Sequence, residues 1–494
     1  MNIKIPRTMS TQHPDNVTIP FFANHSVLRG DDEIKEAFYA FSNLGVEEIM
    51  WDSEGKEADD FVIRKLITEH KNFFEEHRMG KDVFITIRVP NPDYEKAEAK
   101  ILLETLESIP RSYDTARAFY GDGKYPPIFE VIVPMADEKI IEKIYYYYKN
   151  VVIGKEKHDF LDHKKLTVGE WIGDFNPKTI NVIPLFEDVS SMLSAAQTLK
   201  VFLKQNKTKH QRVFLARSDP AMNHSSVAVI LALQIALQRL YDLQEETGVA
   251  IYPILGAGSA PFRGHLTPRT VGYVLSKYPS VATFTIQSAF KYDFSVQEVQ
   301  KAVAMINQTA VRPPIRIEDE KKALKIIEKV SKEYQRQIQM LAPLINEVAK
   351  FVPARRMRKL HTGLFGYSRE LKKGVTLPRV ISFCAVLYSL GLPPDIIGLN
   401  ILTEEEFQFI QRTYSHFEDN LQDTLSLWNP KALTLVPASL RKQLQSVVNR
   451  YEFTPNKEHL EVSTELIDNV ENKNFGVHLT DLIIRAGSAR GFLG

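Results

Sequence analysis

Ile180-Asn181-Val182-Ile183-Pro184-Leu185-Phe186-Glu187-Asp188 is a mostly apolar run that stops abruptly at two acids. It leads into a helical pattern, Val189 to Gln205, and then into Val213-Phe214-Leu215-Ala216, which ends in Arg217-Ser218-Asp219-Pro220. Near-continuous apolar runs of this length suit strands buried on both faces, and a helix between two of them suits a parallel crossover. The same unit recurs outward in both directions. Strand-like runs stand at Val46 to Asp52, Val83 to Val89 and Ile128 to Val133 on one side, and at Ile251 to Leu255 and Val281 to Ile286 on the other. Helical patterns at Asp31 to Asn43, Asp59 to Arg78, Tyr94 to Ser108, Ser225 to Thr247, Thr267 to Lys277 and Ser295 to Ala310 alternate with them. This repetition predicts an α/β fold, a closed (β/α)8 TIM-type barrel in preference to an open doubly wound sheet. The pattern does not reveal the eighth strand.

Beyond about residue 320 the reading turns helical, through Ile317 to Phe351, Val380 to Leu390, Glu404 to Leu425 and Pro437 to Tyr451. The expected organisation is a barrel core over residues 1–320 and a large, mostly helical C-terminal addition over 321–494, forming one integrated domain. No fixed-period repeat is visible, which argues against a solenoid.

Composition narrows the function classes. With 62 basic and 61 acidic residues the net charge is +1, without the basic excess of a general nucleic-acid binder. No run of 18 apolar residues predicts a membrane span, and Met1 to Arg7 is not followed by the apolar stretch of a secretory signal. The single cysteine, Cys384, lies in the apolar run Ile381 to Leu387 and reads as an inert buried thiol. Together these features predict a cytoplasmic protein.

A barrel enzyme carries its chemistry on the C-terminal ends of its strands. Those ends hold Asp52, Arg88, Glu187, Arg217 and Asp219, and the third strand carries Glu130. Glu187 and Asp219, on neighbouring strand ends, suit one hard divalent cation, since magnesium takes one or two carboxylates plus water and substrate oxygens. Asp219 before Pro220 equally suits a helix N-cap, and Glu187 a solvent-facing loop. The turn Gly256-Ala257-Gly258-Ser259-Ala260-Pro261-Phe262-Arg263-Gly264 has Pro261 where a dinucleotide fingerprint needs glycine, and lacks a P-loop ending. It suits a smaller phosphate held by backbone N–H groups and Arg263, or a plain turn. The run Arg355-Arg356-Met357-Arg358-Lys359 reads as a solvated helical face, and Arg369 and Arg379 read by themselves as surface arginines.

Several motifs resemble, in order, those of archaeal-type phosphoenolpyruvate carboxylases. They are Arg7-Thr8-Met9-Ser10-Thr11-Gln12-His13-Pro14-Asp15-Asn16, Trp51 to Lys56, Pro184 to Glu187, Arg217 to Asp219, Gly258 to Gly264, His361 to Arg369 and Ala486 to Gly491. The resemblance implies a barrel, a homotetramer, a cofactor Mg²⁺ or Mn²⁺, and phosphoenolpyruvate and bicarbonate as substrates. It implies that Glu187 and Asp219 bind the metal and that His13 removes a proton from carboxyphosphate. It gives Arg263, Arg369 and Arg379 the task of holding phosphate and carboxylate oxygens, with Arg88 as a further active-site arginine. The longer bacterial and plant enzymes carry a His-Gly-Arg where this chain has Leu255-Gly256-Ala257, so Arg217 or Arg358 is expected to supply the missing cation. They carry a lysine where Met222 stands, so inhibition by aspartate in their manner does not follow. The implied product is oxaloacetate, formed through carboxyphosphate and an enolate. The alternatives are an enolate-class barrel lyase or aldolase acting on a 2-oxo or 3-hydroxy acid, and a non-catalytic anion- or RNA-binding scaffold.

Overall fold

Eight short parallel strands close into a ring: β1 (Thr8–Ser10), β2 (Glu48–Asp52), β3 (Phe84–Arg88), β4 (Glu130–Val133), β5 (Asn181–Phe186), β6 (His210–Ala216), β7 (Ala250–Gly256) and β8 (Thr283–Ile286). The order around the ring is β1-β8-β7-β6-β5-β4-β3-β2, so the predicted barrel is present. The computed structural model describes residues 4–53, 59–161, 165–206, 208–357, 370–371, 375–414 and 416–494.

The missing eighth strand is β1. It spans three residues, with Met9 opposite Thr285 on one side and Glu48 on the other, too short and polar for an apolar pattern to mark. Arg7 anchors its start, donating to the carbonyls of Val281 (2.6 Å) and Ala282 (2.5 Å), while its own N–H donates to Glu47 Oε2 (2.7 Å).

Residues pointing into the barrel form layers, as strand alternation requires. Met9, Met50, Ile132, Ile183, Leu185, Phe214 and Ile254 make an apolar plug separate from the helix-facing core. At the N-terminal end lies an ionic layer. Arg212 donates to Glu48 (2.8 and 2.7 Å), Glu130 (2.9 Å) and Thr283 Oγ1 (3.2 Å). Glu130 therefore belongs to the floor of the barrel, away from the C-terminal face. Burial alone would raise its pKa, but the Arg212 charge and the hydrogen bond with His210 outweigh burial and bring it down to about 2.

The helices that matter below are α1 (Asp31–Ser42), α2 (Val189–Gln205), α3 (Ser218–His224), α4 (Ser226–Thr247), α5 (Ser288–Tyr292), α6 (Glu320–Val348), α7 (Val380–Ser389) and α8 (His478–Arg490). Apolarity on all sides makes α4 a core helix, packed between α2 and α6. By length and composition it is long and apolar enough to cross a membrane, yet 78% of its apolar stretch is buried inside the fold. The expected helix Asp59 to Arg78 is two, Val62–Glu69 and Lys71–Glu76, broken at His70. Glu404 to Leu425 likewise divides into Glu404–Thr413 and Phe417–Leu425. A helix, Glu138–Tyr147, and a small hairpin, Asp159–Leu161 with Leu166–Thr167, intervene unanticipated between β4 and β5. Cys384 is buried in α7, where burial pushes its thiol up.

Replacing Arg212 with Met leaves Glu48 and Glu130 buried without their cation and is expected to cost about 3–5 kcal/mol in urea unfolding. Glu130 is more acidic folded than unfolded, so its contribution is complete above its ordinary value of 4.5 and is lost as pH falls towards about 2. An acid titration of the wild-type unfolding free energy is expected to decline through that window.

Candidate active site

β5 and β6 deliver Glu187 and Asp219 to one cavity of about 550 Å³ at the C-terminal face, whose wall includes Tyr94, Met135, Met222 and Asn223. Asp137, Glu138 and Asp188 also line it, whereas Lys, Arg and His are absent from its wall among the described residues. Two of these acids are helix caps: Asp137 accepts from the N–H of Ile140 (2.8 Å) and Asp188 from that of Ser190 (2.9 Å). Asp188 also meets His224 Nε2 at 3.1 Å; burial opposes its ionisation, but the bonds from His224 and Ser190 hold its carboxyl well below the usual range. Asp219 does not cap α3. It lies in the first turn, and the N-cap position belongs to Arg217.

Glu187 and Asp219 are half-buried on adjacent strand ends. Two such carboxylates, completed by water and substrate oxygens, form a donor set that a hard divalent cation accepts. Among the described residues no three His, Cys, Asp or Glu converge into an all-protein cage.

His13 follows the C-terminal end of β1 and so stands on the same face of the barrel, outside the residues that line the cavity of Glu187 and Asp219. Past Ser10, the Thr11 N–H donates to the Ile286 carbonyl (3.1 Å), and the His13 carbonyl accepts from Ser288 (3.3 Å) and Asp15 (3.1 Å). Gln12 Oε1 accepts from the backbone of Asp52 (3.3 Å), laying the segment over the end of β2. The His13 ring is half-buried, with Nδ1 2.9 Å from Thr11 Oγ1.

The arginines divide sharply. Arg88 makes a bidentate pair with Asp52 (3.0 and 2.9 Å) across the ends of β2 and β3. Arg263 has no exposed surface and donates to Ser218 Oγ (3.1 Å), Asp15 Oδ2 (3.0 Å), the Gly494 carbonyl (2.6 Å) and Gln287 Oε1 (2.5 Å). The glycine-rich turn wraps around this side chain: a Cβ at Gly258 would stand 2.9 Å from the guanidinium carbon. Arg217 is 1% exposed, donates to Ser226 Oγ (3.1 Å) and lines a small separate cavity with Asp395 and Asn420. Nearby, burial and then the Arg217 charge push the Lys277 ammonium down to about 6. Arg379 is exposed just before α7, and Arg358 and Arg369 lie outside the described residues.

The expectation of a solvated helical face at 355–359 is corrected for its first two residues, residues 358 and 359 lying outside those described. Arg355 and Arg356 are buried in non-helical chain that pairs with Leu28. Arg355 donates to the carbonyls of Asn16 (3.3 Å) and Val17 (2.9 Å), while Arg356 binds Glu33 (2.8 Å) and Glu36 (2.6 Å) on α1. Two acids on one helix face neutralise Arg356, which no basic run can reveal. The sequence reading also missed Thr11, Asp15 and Lys291. Asp15 stood in a quoted motif, but its partner Arg263 is 248 residues away.

A closed parallel barrel with paired acids at its C-terminal mouth defines a (β/α)8 enzyme. The chain matches the phosphoenolpyruvate carboxylase family over residues 5–494. It is 48% identical over 501 residues to the phosphoenolpyruvate carboxylase of Methanospirillum hungatei JF-1, with 100% of both chains covered. It is 48% identical over 495 residues to that of Methanothermobacter thermautotrophicus, again over 100% of both. Among solved structures, the HpcH/HpaI aldolase from Desulfitobacterium hafniense DCB-2 is similar at 12% identity and a TM-score of 0.31, covering 61% of this chain and 90% of that one. So distant a likeness carries no weight beside the strand order. The chain belongs to the phosphoenolpyruvate carboxylase family. It is accordingly a carboxy-lyase, forming oxaloacetate and phosphate from phosphoenolpyruvate and bicarbonate.

Asp15→Asn removes the carboxylate that faces Arg263 and is expected to lower stability by about 3 kcal/mol in denaturant unfolding, the cost of stranding a buried cation. Carboxylation is expected to fall at temperatures where the variant remains folded, because the His13 segment loses its tie to the glycine-rich turn.

Proposed function

We propose that Glu187 and Asp219 hold a divalent cation, Mg²⁺ or Mn²⁺, and that His13 is the general base of the carboxylation. When bound, the cation supplies Lewis-acid stabilisation of negative charge developing on oxygen. Bicarbonate attacks the phosphorus of phosphoenolpyruvate, giving carboxyphosphate and the enolate of pyruvate. His13 accepts the carboxyl proton of carboxyphosphate, phosphate departs, and the enolate carbon attacks the CO₂ released. An imidazole, with one nitrogen free to donate while the other accepts, suits that task. Water must be excluded, since protonation of the enolate would yield pyruvate.

The observation that carries this reading is that Thr8–Ser10 is a strand of the barrel, so His13 follows directly from a C-terminal strand end. The acidic cavity wall supports it too, because an anionic substrate there requires added positive charge. In this reading Arg88, Arg358, Arg369 and Arg379 supply charge to phosphate and carboxylate oxygens. Arg263 acts by tying the His13 segment to the glycine-rich turn, and Arg217, bonded to Ser226 at the start of α4 with Nε and Nη1 unpartnered among the described residues, supplies a further cation. The homotetramer follows from the family resemblance, and the cytoplasmic location from the sequence features above, with which the lone buried Cys384 agrees. Sedimentation at micromolar protein is expected to give four copies.

The test is oxaloacetate production from phosphoenolpyruvate with Mg²⁺, coupled to malate dehydrogenase, with and without bicarbonate. Product that requires bicarbonate is expected; a folded, metal-supplied protein giving none would move the reading to an enolate-class lyase. Asp219→Asn is expected to lower turnover at least about a hundredfold and raise the metal concentration needed. His13→Asn is expected to keep phosphoenolpyruvate binding while lowering carboxylation by about 10²–10⁴.

A further inference from the structure

The residue beside His13 is held from several sides. Thr11 is fully buried; its N–H bonds the Ile286 carbonyl (3.1 Å), and its own carbonyl accepts from Lys291 Nζ (3.2 Å). Lys291, on α5, also donates to Ser10 Oγ (2.9 Å) and Glu36 Oε1 (2.9 Å). Glu36 is in turn gripped by Arg356 at 2.6 Å. With the His13 carbonyl fixed by Ser288 and Asp15, both ends of the Thr11–His13 segment are pinned. The Thr11 hydroxyl therefore reaches His13 Nδ1 from a fixed direction, at 2.9 Å.

Which imidazole nitrogen carries a proton depends on what the other one bonds. If Thr11 donated to Nδ1, the neutral ring would carry its proton on Nε2 and have no nitrogen with which to act as a base at the substrate. We propose that Thr11, held by Lys291, is a positioning residue that sets the tautomer of His13: Nδ1–H donates to Thr11 Oγ1, and Nε2 takes the proton. This rests on the reading of His13 as the general base. In the step itself, the O–H bond of carboxyphosphate breaks and an Nε2–H bond forms from the ring lone pair. The O–H electrons remain on the carboxylate oxygen, and the bond from carbon to the phosphate oxygen then breaks with its electron pair on phosphate. The ring becomes imidazolium, and its Nδ1–H bond to Thr11 becomes charge-assisted and stronger. The hydroxyl thus favours the transition state over the resting enzyme.

The experiment is the pH–rate profile of bicarbonate-dependent oxaloacetate formation for the wild type, Thr11→Val, Thr11→Ala, Thr11→Ser and His13→Asn. Losing an acceptor that favours imidazolium makes His13 a weaker base, so the acidic limb moves to lower pH in the Val and Ala variants. Their kcat is expected to fall about tenfold with KM for phosphoenolpyruvate unchanged. Thr11→Ser, which keeps the hydroxyl and drops only the methyl, is expected to restore both kcat and the limb. The Ala variant carries the test if Val does not fold. If Val and Ala keep the wild-type limb and kcat while His13→Asn is inactive, the base stands and the tautomer assignment falls. If Ser loses as much as Ala, the methyl packing is what matters and the proposal is overturned. If His13→Asn carboxylates at the wild-type rate, the base assignment fails and takes this inference with it.

Discussion

Closure of the barrel by three residues is the constraint on which the rest depends. A parallel barrel leaves no open edge only if its last gap is filled, and Thr8–Ser10 fills the gap between Thr283–Ile286 and Glu48–Asp52. Three residues contribute little pairing on their own. Their register is fixed by Arg7 at one end and by the Asp15, Lys291 and Ser288 contacts at the other. The closing strand and the segment bearing His13 are thus one element, and whatever loosens the one displaces the other.

Buried charge is arranged in tiers around that closure. Below, Arg212 joins strands β2, β4, β6 and β8 through Glu48, Glu130 and Thr283. At the side, Glu36 links Lys291 and Arg356, so α1, α5 and the chain at residue 356 meet on one carboxylate. Above, Arg263 gathers Asp15, Ser218, Gln287 and the Gly494 carbonyl. Each tier joins segments far apart in sequence. Breaking a buried pair costs more than forming it gains, because the surviving charge stays desolvated. Such ties therefore act less as net stabilisers than as penalties against any other arrangement of the same strands.

The sequence made the barrel legible where both faces of a strand are apolar. Seven strands announced themselves in this way, and helix Val189–Gln205 has the bounds its pattern predicts. The eighth strand was hidden by its brevity: Thr8-Met9-Ser10 turns only Met9 into the plug. The candidate site was legible at Glu187 and Asp219, since a strand that stops at an acid marks its own C-terminal end. It was opaque at the arginines. Arg263, Arg355 and Arg356 look like free cations in sequence, but their partners lie on distant segments and they are enclosed, as is Arg217. Lys291 gave no signal because a lysine in a short helix after a strand resembles any surface lysine.

That enclosure bears on the chemistry. A cavity walled by Asp137, Glu138, Glu187, Asp188 and Asp219 repels an anion, and phosphoenolpyruvate carries both phosphate and carboxylate. Two like charges 4 Å apart at an effective dielectric of 20 repel by about 4 kcal/mol, so substrate entry demands compensation. Arg263 is tied to Asp15, so in the proposed reading that compensation falls to a divalent cation and to the other arginines, of which Arg88 is already paired with Asp52 while Arg217 keeps Nε and Nη1 without a hydrogen-bond partner among the described residues. Metal and substrate binding would then be coupled by electrostatics: Glu187 and Asp219 would hold the cation, and its charge would offset the repulsion of the acidic wall. In that reading the acids that repel phosphoenolpyruvate would, with a cation held between Glu187 and Asp219, favour its binding instead, and enolate formation would depend on the same cation.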